Sequence, residues 1–204
     1  MYRFGGLRPQ TTTTTVSMFK TRASSSIINL ILFLKGMGLK KTSETVAISF
    51  GLTESAPNTF TQEEIQLTLD VLNNEVFVVQ AIDLNPAGPD ALAAVDTAMT
   101  CQVATTSQTA ISSLSNTNVM ALSERIIQAA GFVDGGVGFS HFSGETPDTN
   151  LDYIAIIATD NFFFSVKGSN NAAAKGASGR VWGYRARADA STYAALVQSE
   201  VLSS

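Results

Sequence analysis

Short apolar runs with a two-residue period, each closed by turn-forming residues, fill the chain from residue 45 onward and restrict its fold more than any other feature. Ile65, Leu67, Leu69 and Val71 alternate with Gln66, Thr68 and Asp70. In an extended strand successive side chains leave opposite faces, so this spacing buries one face and wets the other. Over residues 45–52 the same spacing puts Val46, Ile48 and Phe50 on one side and Ala47 and Ser49 on the other. Thr61-Gln62-Glu63-Glu64 also matches a helix capping box. The strand reading is favoured there, because Asn73-Asn74 then supplies a two-residue turn into 75–84, a run rich in Val, Phe and Ile.

Pro86 and Pro89 interrupt the pattern, 90–94 reads as a helical turn and 97–107 as another strand. Asn118 is placed to cap a helix over 119–130, with Ile126, Ile127 and Ala130 on one face and Gly131 as its stop. There follow a weak strand at 137–143 and a hairpin of 153–158 with 162–166, turning at Asp160-Asn161. A flexible small-residue loop at 168–179, a strand at 180–187 and a helical tail at 191–202 complete the chain. About eight strands with one or two inserted helices predict a mainly β fold, an antiparallel β-sandwich of jelly-roll type, with an α+β sheet as the alternative.

The first 42 residues read differently, as an arm ahead of a β-rich body at 43–204. Thr11 to Thr15 are five β-branched residues in a row, which favours extended chain. Twenty-five extended residues reach roughly 80–90 Å. Ser24, Ser25 and Ser26 can cap a short helix over 27–35 that Gly36 stops, and its apolar side chains surround it almost completely, so it needs burial on most sides. A bilayer requires about 20 apolar residues, so no membrane span is expected, and no continuous apolar run follows Arg3 to form a secretory signal.

Charge is sorted along the chain in the same way. Residues 1–43 carry seven bases (Arg3, Arg8, Lys20, Arg22, Lys35, Lys40, Lys41) and no acid, whereas residues 44–166 carry fifteen acids and one base, Arg125. Residues 167–187 add five bases. A cationic arm on an anionic body suits contact with nucleic acid or with another copy of the chain. Charged residues make up only 15% of the sequence, against about 25% in an ordinary globular protein. A surface of Ser, Thr, Asn, Gln, Ala and Gly loses its water easily, which favours extensive subunit contact.

The candidates for chemistry are weak. His141 is the only histidine and stands among Ser140 and Ser143, but neighbouring residues of a strand point to opposite faces, and the segment is not a Gly-x-Ser-x-Gly elbow. Gly135-Gly136-Val137-Gly138 lacks the dinucleotide fingerprint, and the glycines around Lys175 lack phosphate-loop order. Ser17 and Lys20 match Ser-x-x-Lys without its customary companions. Asp134, Glu145, Asp148 and Asp152 offer hard oxygen ligands for calcium without EF-hand spacing. The single Cys101 excludes a disulfide framework and reads as a buried, inert thiol. No enzyme activity and no cofactor are expected.

Two basic regions remain. In the arm, Tyr2, Phe4 and Phe19 interleave with the cations and suit either base stacking or anchoring in a neighbour's groove. In the second region, Arg180, Arg185 and Arg187 share a strand with Trp182 and Tyr184, the aromatics facing the core and Arg185 and Arg187 a partner or solvent. With its cationic extended arm from Arg3 to Lys41 and its Ser/Thr/Asn-rich β body, the chain resembles small viral capsid proteins. The resemblance implies a β-sandwich virion protein that self-assembles into a shell, its arm running beneath neighbouring subunits, with other virion proteins and nucleic acid as further partners. The arm is more dilute in charge than most genome-binding arms, which makes strapping to an acidic neighbour the favoured role. The alternatives are a β-sandwich attachment or surface-binding module and a hydrolase around Ser140 and His141.

Overall fold

The computed structural model describes residues 38–133, 135–141 and 152–202. In chain order the strands are β1 (Leu39–Lys41), β2 (Val46–Thr53), β3 (Thr61–Gln66), β4 (Glu75–Pro86), β5 (Thr97–Ala104), β6 (Val119–Gln128), β7 (Val137–His141), β8 (Ala155–Ile157), β9 (Asn161–Ser169) and β10 (Gly176–Ala188). A 3-10 turn spans Val71–Asn73 and one helix, α1, spans Ala190–Leu202. The strands form two antiparallel sheets. One runs β1-β10-β4-β8, with β2 continuing the β1 edge along β10, and the other runs β3-β9-β5-β6-β7.

The connectivity behind this order is a set of nested antiparallel pairs: β2 with β10, β3 with β9, β4 with β8 and β5 with β6. Such nesting is what a long hairpin gives when it is rolled so that its strands fall alternately into two sheets. Pairing of β10 with β4 and of β9 with β5 closes the roll. This is the jelly-roll order expected of the β-sandwich, with β7 added at one edge.

The period-2 pattern decides what lies between the sheets. Phe77, Val79, Ile82, Leu84 and Val181 come from the first sheet and Met99, Cys101, Val103, Phe162, Phe164 and Val166 from the second, and all of them are buried together. Phe50 of β2 bridges to Phe162 and Phe164 of β9 at ring-centroid distances of 5.6 and 4.7 Å, a range in which tilted aromatic pairs attract. Burial pushes the Cys101 thiol up to about 12, so it is inert as a nucleophile, as its strand position suggested.

A second cluster lies on the other face of the first sheet. Tyr193, Leu196 and Val197, at helical i, i+3, i+4 spacing, cover Val76, Val78, Ala158, Ala186 and Ala188. Asp189 starts α1 by accepting from the Thr192 N–H at 2.7 Å and from the Ser191 hydroxyl at 2.7 Å. Those bonds, the Ser191 one foremost, hold the Asp189 carboxyl below its ordinary value.

Four local expectations are corrected. Residues 119–128 are strand β6, not helix. Asn118 caps no helix there, and its carbonyl instead accepts from the Thr105 N–H at 2.8 Å. The helical spacing of Ile126 and Ile127 is outweighed by a ladder that runs from Thr97↔Ile127 to Ala104↔Val119. The supposed hairpin of 153–158 with 162–166 is split, since β8 pairs with β4 in one sheet and β9 with β3 and β5 in the other. The alternation from Ile65 to Val71 is not one strand. β3 ends at Gln66, Arg185 holds the Leu67 and Thr68 carbonyls, and the 3-10 turn with Asn74 at φ 54° leads into β4. Residues 90–94 form no helix and make only a turn, with the Val95 N–H donating to the Leu92 carbonyl.

Candidate assembly surfaces

The basic residues singled out in the sequence divide into three groups. Arg3, Arg8, Lys20, Arg22 and Lys35, together with the expected 27–35 helix, lie outside the described residues. Lys40 and Lys41, read as the end of the arm, stand in β1 and therefore within the first sheet. There Lys40 is the direct register partner of Arg187. Both are exposed, and neither makes an ion pair among the described residues. Like charges directly opposite in a sheet repel, and the Glu75 in register with Arg187 on its other side is paired with Arg185. Lys40 of the first basic region and Arg187 of the second are thus neighbours in the first sheet.

Arg185 has a different role from the one expected. Its guanidinium donates to the carbonyls of Thr68 and Leu67 at 2.9 and 2.8 Å and pairs with Glu75 at 3.2 Å. It ties β10 to the β3–β4 connection and is spent inside the subunit. Lys41 lies 4.9 Å from the Tyr184 ring centroid and 3.9 Å from Glu44. Arg180 is exposed, with its Nε bonded to Ser49 Oγ at 3.0 Å and its guanidinium 5.6 Å from the Trp182 ring centroid. Trp182 and Tyr184 do share a strand face, but it is the outer one: Tyr184 packs in the cluster under α1, and Trp182 lines an open groove.

Many of the body's acids are accounted for by backbone chemistry. Glu54 is buried and accepts from the N–H groups of Gly168 and Lys175 at 2.5 and 3.0 Å. Asp96 accepts from Ala129 and Ala130, Asp160 from Leu69 and Asp90 from Ala172. Strand ends leave N–H groups without ladder partners, and carboxylates on neighbouring loops supply them. Part of the acidic surplus is therefore a loop-fastening device. It also holds the 168–179 region, expected as a flexible loop. Asn171, buried, exchanges two bonds with Asn58 and reaches the Asp90 N–H and the Ala98 carbonyl, while Lys175 Nζ sits 2.5 Å from Asp90.

A group of exposed apolar side chains lies at the edge of the second sheet. β7 pairs with β6 alone among the described strands. Val137 and Phe139, two apart on this strand, are 51% and 52% exposed, and Phe132 and Val133 in the preceding turn are 51% and 88% exposed. An unpaired edge carrying apolar side chains is a template for a partner chain. This surface was not recognised in the sequence, where 137–143 read only as a weak strand. The signal available was the spacing of Val137 and Phe139 beside Phe132-Val133. Ser140 and His141 are consecutive residues of this strand, in register with Arg125 and Glu124.

Glu200 fastens α1 to the sandwich. It is buried and accepts from the N–H groups of Ala158 and Thr159 at 3.0 and 3.1 Å. Burial raises its carboxyl above the ordinary value, against the pull of those N–H groups. A carboxyl raised in the folded state holds its proton more tightly there than in the unfolded chain. Its contribution to stability is thus present below the ordinary carboxylate range and fades as pH rises through the folded value. Glu200→Gln should flatten that part of the pH–stability curve, and Glu200→Ala should cost about 1–3 kcal/mol by stranding two N–H groups. Urea unfolding of the variants as a function of pH checks both, and pH slopes identical to the parent's would refute the assignment.

Among the described residues no group of three or more His, Cys, Asp or Glu side chains is placed to hold a metal. Of the four calcium candidates only Asp152 is described. No helix among the described residues is long and apolar enough to cross a membrane. No protein-family model and no curated protein matches the chain. Comparison with solved structures finds a chain from Desmodium yellow mottle tymovirus at 11% identity and a TM-score of 0.25, covering 72% of this chain and 87% of that one.

Proposed function

We propose that this chain is a structural subunit that self-assembles into a viral capsid or shell, its N-terminal arm strapping onto neighbouring subunits. The observation that carries the reading is the apolar edge at β7, where Val137 and Phe139 on the strand and Phe132 and Val133 in the turn before it stand half or more exposed, and where β7 has β6 as its one strand partner among the described residues. The jelly-roll order supports it only by analogy, since the same order serves capsid domains, lectins and cupins. The low charge content supports it physically, because few ions need to be stripped of water when subunits meet.

The arm supplies the second contact. Its last two cations, Lys40 and Lys41, lie in β1, and Lys40 and Arg187 form no ion pair among the described residues, the Glu75 opposite Arg187 being paired with Arg185. An acidic edge such as that of β3, with Glu63 and Glu64 exposed, is a suitable complement on a neighbour. Nucleic acid is the lesser partner for the same cations, and the virion is the implied location. Deleting residues 1–25 is expected to abolish particles or change their size in sedimentation and electron microscopy. Particles indistinguishable from the parent's would remove the arm from the mechanism.

A further inference from the structure

The groove around Trp182 belongs to none of the contacts assigned so far. α1 covers one half of the outer face of the first sheet and leaves the other half open. On the open half the register places Trp182 between Ala47 of β2 and Ala81 of β4, Arg180 between Ser49 and Asp83, and Ser178 between Gly51 and Asn85. Ser49, Asp83, Asn85, Ser178, Arg180 and Trp182 line a groove of about 330 Å³, within the size range of small-ligand sites. The direct register partners of Trp182 on the two neighbouring strands, Ala47 and Ala81, offer only methyl groups, and Thr45 and Gln80 meet across β10 at 3.0 Å beyond them.

The polar groups here are largely unspent. Asp83 is exposed and, like the Trp182 indole N–H, makes no hydrogen bond among the described residues. Arg180 uses its Nε on Ser49 and keeps its terminal nitrogens. Asn85 accepts from Arg125 at 2.8 Å and retains its amide donors. Acceptors and donors thus alternate around an aromatic wall, at the 4.7–4.9 Å spacing of adjacent strands.

We propose that this groove binds a neutral carbohydrate. A pyranose presents a C–H face that packs on an indole and vicinal hydroxyls that both donate and accept, which matches Trp182, Asp83 and Arg180. Charge decides against a phosphate or nucleotide. Arg180 and Asp83 are register partners of opposite sign, and an anion entering beside Trp182 would meet the Asp83 carboxylate.

Trp182 is the only tryptophan, so its fluorescence reports on this groove alone. The full chain is titrated with glucose, galactose, mannose, N-acetylglucosamine and lactose, and with uridine monophosphate as the anionic control. At least one sugar is expected to change the emission saturably, with the nucleotide inert. Asp83→Ala should weaken that sugar by about tenfold, a change of about 1.4 kcal/mol. Ala47→Leu, which fills the flank of the indole without removing a polar group, should abolish binding, and neither variant should change particle size. The proposal is overturned if no sugar saturates, if the nucleotide binds as well as the sugars, or if binding survives both substitutions. Because the readout is independent of particle size, its failure leaves the shell reading untouched, and the reverse holds too.

Discussion

Phe139→Asp is expected to convert the assembled protein into small, folded subunits. The side chain is half exposed in the subunit, so a carboxylate there keeps its water and the fold loses little; surface substitutions usually stay within about 0.5 kcal/mol. In the shell proposed above the same position would be buried against a partner. An unpaired carboxylate forced into an apolar contact costs several kcal/mol per subunit, and a shell repeats that cost at every copy. Sedimentation velocity should show particles replaced by a slow species, with circular dichroism and unfolding midpoint close to the parent's. Phe139→Leu, which keeps the apolar contact, should still assemble. Particles of unchanged size from the aspartate variant would exclude the β7 edge as an interface.

Gly183→Val is expected to prevent stable folding altogether. Gly183 sits at the β-bulge where the pairing of β10 with β4 shifts between Trp182 and Gly183, leaving Gln80 as the extra residue. A Cβ there would overlap the Val78 carbonyl oxygen and lie 2.5 and 2.7 Å from atoms of the Phe77 ring. Neither neighbour can move, because the first is backbone in a central strand and the second is 1% exposed in the core. Overpacking of this kind costs about 1–3 kcal/mol and occasionally more, and valine adds two methyls to the clash. Against a total stability of about 5–15 kcal/mol, Gly183→Ala should already lower the unfolding midpoint clearly and Gly183→Val should give insoluble protein. Gly88→Ala, where nothing lies within 4 Å of the new carbon, should be nearly neutral. A stable, soluble Gly183→Val protein would show that the strands are not packed as described.

The sandwich was legible in the sequence because burial between two sheets imposes a period of two, and Val46, Ile48 and Phe50 or Phe162, Phe164 and Val166 carry that period openly. Partnership was much less legible. Which strand pairs with which depends on contacts far apart in sequence, so two runs flanking Asp160-Asn161 looked like a hairpin although they belong to different sheets. β6 was hidden because a strand that buries Met120 and Ala121 between the sheets also satisfies helical spacing at Ile126 and Ile127, and only the ladder with β5 separates the two.

Charge misled in a more instructive way. Counting fifteen acids against one base between residues 44 and 166 suggested an acidic exterior open to a neighbour's arm. Glu54, Asp90, Asp96 and Asp160 in fact hold backbone N–H groups of loops, which leaves a smaller exposed set such as Glu63 and Asp83. Arg185 likewise looked like a surface cation and is a clamp. The meeting of Lys40 with Arg187 joins residues 147 positions apart and had no sequence signature, and the groove at Trp182 required knowing that its face points outward.

The size of the purified full-length protein in solution tests the account most directly. Light scattering and electron microscopy at low and moderate salt should find a uniform particle many times the mass of the 21.6 kDa chain. Loss of particles at raised salt would point to the cationic arm as the dominant contact, and persistence would point to the apolar β7 edge. A stable monomer at high concentration and moderate salt would contradict the account.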